Sequence, residues 1–304
     1  MESKKAYKAF LALLSEKVVF LPDKPDENPT STLDALWHFS CVSQSEIREP
    51  ARDTDDFHLP ELTPEAFGLL EELIGKRIEG TPLAHLLGVQ VFMEVGFMVD
   101  TSALIPRKET EILGYAALKK IKTIATEQAM VHVVDVCTGM GNLAMAFAAG
   151  EPKARVLAAD ISEEAIDLAR KNASHLSLET RVDFYTGDMF TPFALEEWSD
   201  TIDVITCNPP YISSGKLEDM PEEIIRHEPV EAFNGGSFGL TIIFRLIRDS
   251  LAYIRNGGWL CFEVGLGQGD AVAKVMERNP VFCKIEKSLD KDGHVRALLA
   301  QVKK

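Results

Sequence analysis

From Val131 to the end of the chain, one pattern repeats: a short, almost wholly apolar run followed by a segment with helical spacing. "VHVVDVC" leads into "NLAMAFAA", and "ARVLAAD" leads into "SEEAIDLARKNASHL". Then come "RVDFYTG", "TIDVITC", a long helix near 238–254, "WLCFEVG" and a helix near 268–278. A strand that is apolar on both sides must be covered on both sides, and a helix between strands supplies the crossover that parallel pairing needs. The alternation therefore predicts an α/β fold, a parallel sheet with helices on each face. The tail breaks the pattern. "CKIEKSLD", a "KDG" turn and "HVRALLAQV" read as two consecutive strands, an antiparallel hairpin at the sheet edge.

The N-terminal part has a different period. Tyr7, Phe10, Leu11, Leu14 and Val18 fall on one face of a helix reaching to about Val18. Its apolar stripe is modest, so this helix is expected to pack on other helices rather than lie on a membrane. "LPDKPDENPTST" reads as loop, and helical spacing resumes at "STLDALWHFSCV". In "TPEAFGLLEELIGKRIEG", Thr63 caps the helix, Pro64 takes its first position and Gly80 ends it. Alternation around Glu94–Gly96 suggests a β-hairpin. The expected organisation is a helical domain at 1–87, a hairpin linker at 88–104 and an α/β domain at 105–304.

Totals exclude several classes of function. The chain has 304 residues, 46% of them hydrophobic, with 32 Lys+Arg against 47 Asp+Glu. A formal net charge of −15 without a basic run repels a phosphate backbone, so direct binding of nucleic acid is not expected. The five cysteines form no CxxC pair, which argues against structural zinc and disulfides; those in strand-like runs read as buried small hydrophobes. The seven histidines show no metal-ligand spacing, so no metal is expected. No apolar stretch reaches the roughly 18 residues that would suggest a membrane span, and no signal-peptide pattern opens the chain. The expectation is a soluble protein of a reducing compartment, the cytoplasm, acting as a monomer.

Two loops carry the chemistry. "DVCTGMGNL" joins the first strand of the α/β domain to its helix, where Gly139 and Gly141 let a ligand approach the main chain. Asp160 ends the second strand, 21 residues after Gly139, in position to accept hydrogen bonds from ribose hydroxyls. "GMGNLA" also fits the G-x-G-x-x-A dinucleotide pattern, which by itself leaves NAD open. Against NAD stands Asp188 in "TGDMF", a second acid at a strand end, suited to the exocyclic amino group of adenine.

The second loop, "TCNPPYIS", leaves the fourth strand. Two prolines remove two N–H donors and stiffen the turn, which leaves the Asn208 side-chain oxygen and the Pro209 carbonyl as acceptors beside the flat face of Tyr211. Such a turn suits a planar group that donates two hydrogen bonds, a primary amide or an aromatic amine. These nitrogens are poor nucleophiles because their lone pair is delocalised. Two acceptors orient the N–H bonds and stabilise positive charge as the nitrogen becomes tetrahedral. The matching electrophile is a methyl sulfonium. Were strand four to neighbour strand one, both loops would open on one crevice.

"NPPY" after strand four, with "DVCTGMGN", "AAD" and "TGD" upstream, resembles the seven-stranded, Rossmann-like S-adenosyl-L-methionine-dependent methyltransferases. "TPLAHLLG", "LIPRKETEIL", "EPVEAFNGG", "FGLTIIFRLI" and "NGGWLCFEVGLGQGDAV" extend the resemblance to the protein-(glutamine-N5) methyltransferases, from about residue 80 to the end. The resemblance implies N5-methylation of the Gly-Gly-Gln glutamine of peptide chain release factors. It implies that Cys137, Thr138, Gly139, Met140 and Gly141 wrap the methionine part of the cofactor, that Asp160 takes the ribose, and that Asp188 and Met189 border the adenine. It further implies that Asn208, Pro209, Pro210 and Tyr211 hold the glutamine amide, with Asn208 also touching the cofactor and Asn208, Pro209 and Tyr211 as the catalytic group. The helical module would dock the release factor.

The chain departs from the family pattern in places. Cys137 stands where a glycine is usual, and "CTG" there resembles the branch that methylates a ribosomal-protein glutamine. Lys108 replaces a usual proline, and residues 19–60 match poorly. Another amide or guanidine acceptor, on a ribosomal protein or a small molecule, is therefore the alternative, with adenine-N6 of nucleic acid behind it. His227 and Glu228 line a substrate entrance or form a capped surface turn; Arg107 and Glu109 form a salt bridge or a binding feature.

Overall fold

The computed structural model describes residues 2–21, 24, 26–42 and 60–304; Pro22, Asp23 and Pro25 of the expected loop, and much of the poorly matching 19–60 stretch, lie outside them. The chain divides into two compact units, Met1–Gln90 with Pro221–His227, and Val91–Met220 with Glu228–Lys304. In chain order the helices are α1 (Glu2–Lys17), α2 (Pro29–Cys41), α3 (Pro64–Ile78), α4 (Leu83–Leu87), α5 (Thr110–Ala125), α6 (Asn142–Gly150), α7 (Glu163–His175), α8 (Leu195–Trp198), α9 (Glu222–His227), α10 (Thr241–Ser250) and α11 (Gly269–Glu277). The strands are β1 (Val89–Phe92), β2 (Val95–Met98), β3 (Val131–Val136), β4 (Ala154–Asp160), β5 (Val182–Thr186), β6 (Ile202–Cys207), β7 (Ile254–Glu263), β8 (Phe282–Leu289) and β9 (Val295–Val302).

The first unit buries Leu14, Leu33, Leu36, Trp37, Leu70, Leu73 and Ile74 at its centre. Trp37 is fully buried and still satisfied, because its indole N–H donates to Pro60 O at 3.0 Å. Thr63 accepts from Ala66 N and Pro64 opens α3, as the sequence suggests. The expected loop before α2 ends sooner than the sequence reading places it. Asn28 caps the helix, Pro29 occupies its first turn, and Ser31 reciprocates by accepting from Asn28 N at 3.0 Å. A proline with φ fixed near the helical value costs nothing where the N–H has no partner anyway, so "NPTS" starts a helix rather than prolonging the loop.

In the second unit the seven strands lie in the order β5-β4-β3-β6-β7-β9-β8. β3 to β7 pair in parallel, and β9 runs antiparallel to β7 and β8. The tail hairpin thus closes the sheet, with β8 at its edge. Every residue of β6 is buried, as covering on both faces demands, whereas in edge strand β8 only Phe282 is buried and the rest are half-buried or exposed. The chain steps outward from β3 through β4 to β5, then returns to β6 on the other side of β3. That reversal opens a crevice at the carboxyl ends of β3 and β6. Met93 and Glu94, both at positive φ, make the two-residue turn of the β1–β2 hairpin. Asn172 of α7 holds β2, accepting from Met98 N at 2.7 Å and donating to Met98 O at 3.0 Å.

Two further expectations change. Cys207 and Cys261 are buried, but Cys283 lies on the open edge strand and is exposed. The helix expected near 238–254 is shorter, because β7 begins at Ile254 and Phe238 takes a positive φ of 56° ahead of α10. No helix among the described residues is long and apolar enough to cross a membrane.

Candidate active site

β3 ends at Val136 beside Cys207 of β6, so the loop after β3 and the turn after β6 leave neighbouring strands at the same end. Adjacent strands are roughly 4.8 Å apart, which sets the scale of the gap between the loops. The first loop is held from below. Thr138 Oγ1 donates to Asp135 Oδ2 and Thr206 Oγ1 to Asp135 Oδ1, both at 2.6 Å, while Thr138 N donates to Ala159 O at 3.0 Å. Burial pushes the Asp135 carboxyl up to about 7, against the two hydroxyl donors that favour its charged form.

Gly139 has φ +55° and open space where a Cβ would stand, so no packed side chain covers its main chain there. Gly141 has φ +82°, and a Cβ there would meet Met145 Cε at 2.8 Å and the Phe184 ring at 2.9 Å. The two glycines serve different ends: one leaves room for a ligand, the other lets α6 start close against the sheet. Met140 is fully buried, so its side chain belongs to the core. Cys137 adopts φ +56°, the left-handed geometry that glycine takes without cost and a cysteine holds at about 1 kcal/mol.

Asp160 stands at the end of β4. Its Oδ2 accepts from Gly139 N at 2.8 Å and its Oδ1 from Ser162 N at 3.0 Å. Burial raises its pKa, opposed by backbone donors from Ser162, Gly139 and Ile161. Each oxygen keeps acceptor capacity, as a ribose diol requires. Asp188 is partly exposed and its Oδ2 accepts from Arg245 Nη1 of α10 at 2.6 Å, which fixes the carboxylate. Met189, at φ +52°, is buried. The open space over Gly139 and the oriented Asp160 fit a nucleoside-bearing methyl donor, S-adenosyl-L-methionine.

At the second loop, Asn208 Nδ2 donates to Thr110 Oγ1 at 3.3 Å, which leaves Oδ1 as the outward acceptor. Pro209 is buried, and its carbonyl accepts no hydrogen bond among the described residues. Tyr211 O–H donates to Glu263 Oε1 at 3.0 Å; the negative Glu263, then burial, pushes the phenol far up, so it stays protonated. Gln268 Nε2 donates to Tyr211 O at 3.0 Å and its Oε1 accepts from Gly265 N at 2.9 Å. Ile212 N donates to Phe233 O at 2.9 Å, and Gly235 N to Ile212 O at 2.8 Å. The turn is thus clamped from both flanks.

The sequence-derived residues fall together in the second unit at the carboxyl ends of β3, β4, β5 and β6, except that the Met140 and Met189 side chains turn inward. Glu228 is no surface turn: it is buried, accepting from Arg107 Nη2 at 2.6 Å and Ile105 N at 2.9 Å. His227 belongs to the first unit. Sequence reasoning passed over Thr110, Asp135 and Glu263. Glu263 carries the signal that revealed Asp160, an acid closing an apolar strand.

A model described as a methyltransferase domain matches residues 127–295. Among curated proteins, the chain is 36% identical to a release factor glutamine methyltransferase of Rhodopirellula baltica, covering 76% of this chain and 77% of that protein. It is 34% identical to the one of Bacillus subtilis, over 74% and 77%. Among solved structures, the human METTL16 catalytic domain in complex with a MAT2A 3′UTR hairpin aligns with a TM-score of 0.53 at 16% identity, over 75% of this chain and 81% of that one. That likeness speaks to the fold alone. With a methyltransferase sheet, an Asn-Pro-Pro-Tyr turn beside a glycine loop, and relatives above 30% identity over three quarters of its length, this chain belongs to the release factor glutamine methyltransferase family.

Proposed function

We propose that the chain transfers a methyl group from S-adenosyl-L-methionine to the side-chain N5 of a glutamine, the Gly-Gly-Gln glutamine of peptide chain release factors. The observation that carries this reading is the pairing of β3 with β6, which sets an open glycine loop beside a turn of acceptors. Bound there, the cofactor supplies a methyl group already activated by a sulfonium.

The chain's own residues do the rest. Asn208 Oδ1 and the Pro209 carbonyl accept the two N–H bonds of the glutamine amide and aim its nitrogen at the crevice. Their partial negative charge stabilises the nitrogen as it becomes cationic. Tyr211, anchored by Glu263, supplies a wall for the planar amide. Asp160 receives the ribose hydroxyls, and Asp188 with the main chain of Met189 borders the adenine. No side chain is needed as a strong base, because the nitrogen loses its proton readily once it carries the methyl. The helical 1–87 region is assigned to docking the release factor, with the hairpin at 88–104 as its link to the catalytic 105–304 region, and the enzyme to act as a monomer in the cytoplasm without nucleic acid.

Incubating the protein with labelled donor and a release factor, then mapping the label by mass spectrometry, tests the assignment. A methyl on the Gly-Gly-Gln glutamine, lost by about 100-fold or more in Asn208→Ala, supports it. Label on a ribosomal protein or a small molecule, with the release factor unmodified, overturns it.

A further inference from the structure

Two strongly exposed apolar side chains of the second unit sit on the loops that clamp the acceptor turn. Phe238 is 86% exposed and Leu266 is 64% exposed. Phe238 also takes φ +56°, a left-handed backbone that disfavours any β-carbon. Water around the ring and strain in the main chain both oppose folding, and a glycine at this position would carry neither. An aromatic held out on such a backbone points to a surface that is covered when the protein works.

Both loops are fixed to the turn through main-chain atoms. Ile212 and Asn234 form a parallel bridge, Gly235 N donates to Ile212 O at 2.8 Å, and Ser214 N donates to Gly236 O at 3.1 Å. A Cβ on Gly235 would stand 2.5 Å from Pro210 O, and one on Gly239 would collide with Tyr211 O, so the first loop lies directly on the turn. Gln268 ties in the second loop. Its Nε2 donates to Tyr211 O at 3.0 Å and to Phe238 O at 3.3 Å, while its Oε1 accepts from Gly265 N at 2.9 Å. A Cβ on Gly265, the residue before Leu266, would stand 3.0 Å from Tyr211 Cδ2. Phe238 and Leu266 thus project into solvent from main chain that is bonded to, or packed on, the residues of the acceptor turn.

The chemistry of this rim narrows what covers it. In a chain with a net charge of −15, neither 233–240 nor 264–268 contains a charged residue. A glutamine whose amide reaches Asn208 and Pro209 brings its own main chain to the mouth of the crevice, and consecutive Cα atoms are only about 3.8 Å apart. The residues beside it therefore pass over the surface that borders the turn. In a Gly-Gly-Gln loop the two preceding residues have no side chains, so an apolar rim meets their methylene carbons and peptide faces directly. A charged rim would find nothing there to pair with.

We propose, resting on the methyl-transfer reading, that Phe238 and Leu266 form an apolar rim gripping the uncharged main chain of the release-factor loop beside the target glutamine. The rim selects for a glutamine flanked by small, uncharged residues. Its effect falls on KM for the protein substrate and leaves the cofactor site alone.

The test compares Phe238→Gly, Phe238→Asn and Leu266→Ala with the wild type. Steady-state methylation of a release factor is measured alongside calorimetric affinity for S-adenosylhomocysteine and the thermal midpoint. Glycine and asparagine both suit a left-handed backbone, so the two Phe238 variants should melt close to or above the wild-type temperature. They are expected to raise KM for the release factor by about 10-fold, and Leu266→Ala by about 3-fold, with S-adenosylhomocysteine affinity within about two-fold of wild type. Photocrosslinking identifies the occupant: whole enzyme carrying Phe238→p-benzoylphenylalanine, mixed with S-adenosylhomocysteine and the release factor, should attach to the Gly-Gly-Gln loop, mapped by mass spectrometry. Wild-type KM in both Phe238 variants overturns the proposal while the methyl-transfer reading stands. Crosslinks absent from that loop, or confined to another face of the release factor or to a second copy of the enzyme, do the same. Should a Phe238 variant melt early, the crosslink still decides, since its aromatic keeps the shape of the wild-type residue. A wild-type protein that leaves the release-factor glutamine unmodified removes the methyl-transfer reading itself, and the rim's role with it.

Discussion

Asp135→Asn isolates a buried carboxyl whose cost the geometry lets one work out. Asp135 is fully buried beneath the glycine loop, and burial moves its titration from 3.8 to about 7 despite donors from Thr138 and Thr206. The folded state thus holds this proton more tightly than the unfolded chain, so between the two values folding takes up a proton. Stability from this group is complete below the unfolded value and is lost as pH rises toward 7. Moving one carboxyl by this much costs about 4 kcal/mol across the whole window, and about 2–3 kcal/mol between pH 5 and pH 8. Asparagine keeps the shape and cannot ionise. Urea unfolding of both proteins at half-unit pH steps should show Asp135→Asn gaining on the wild type by about 2–3 kcal/mol from pH 5 to pH 8. A ¹³C carboxyl resonance that vanishes in the variant should titrate near 7. Parallel stability curves, with that resonance titrating below 5, would refute the claim that burial outweighs the two threonine donors.

Gly141→Ala adds a Cβ 2.8 Å from Met145 Cε and 2.9 Å from the Phe184 ring at φ +82°, and should cost about 2–4 kcal/mol in unfolding free energy. Gly139→Ala meets open space at φ +55°, so it should cost only about 1–2 kcal/mol while weakening S-adenosylhomocysteine affinity by calorimetry, because its methyl enters the space proposed for the cofactor. Arg77→Ala removes a guanidinium that is 1% exposed, 2.9 Å from Glu223 and 3.5 Å from Glu27, and should destabilise the helical unit by about 3–5 kcal/mol, read by hydrogen exchange in Pro64–Ile78 and Pro221–His227. Burial opposes the charged form of Glu223 but Lys24 and Arg77 outweigh it, holding that carboxyl below its usual range. The pairing therefore stabilises above roughly pH 4, and the Arg77→Ala deficit should shrink as acid protonates Glu223.

The α/β domain was legible because its signals are local and strong. A wholly apolar strand such as "TIDVITC" has only one way to be satisfied, a covered parallel position, and β6 is buried along its whole length. The adjacency of β3 and β6 was a different kind of inference. No residue states it; it follows from the limited ways a right-handed βαβ chain can reverse. The start of α2 was misplaced because proline signals a break by propensity, whereas at the first helical turn it signals the opposite. The length of α10 was overestimated because periodicity alone does not reveal that Phe238 sits at φ +56°.

The least legible part of the site is the row of partners behind the visible motif. "NPPY" marks itself through its prolines, since removed donors can be counted in the sequence. Thr110 opens α5, 98 residues away from Asn208, and Glu263 lies 52 away from Tyr211, so these partnerships exist only once α5 and β7 pack against β6. The same holds for Asp135, which gathers Thr138 from the next loop and Thr206 from the neighbouring strand. A motif stripped of its own donors must be oriented by groups elsewhere, because a turn that cannot hydrogen-bond itself has nothing local to fix its rotamers. The prolines that make the turn recognisable are thus the reason its supporting residues cannot be found beside it.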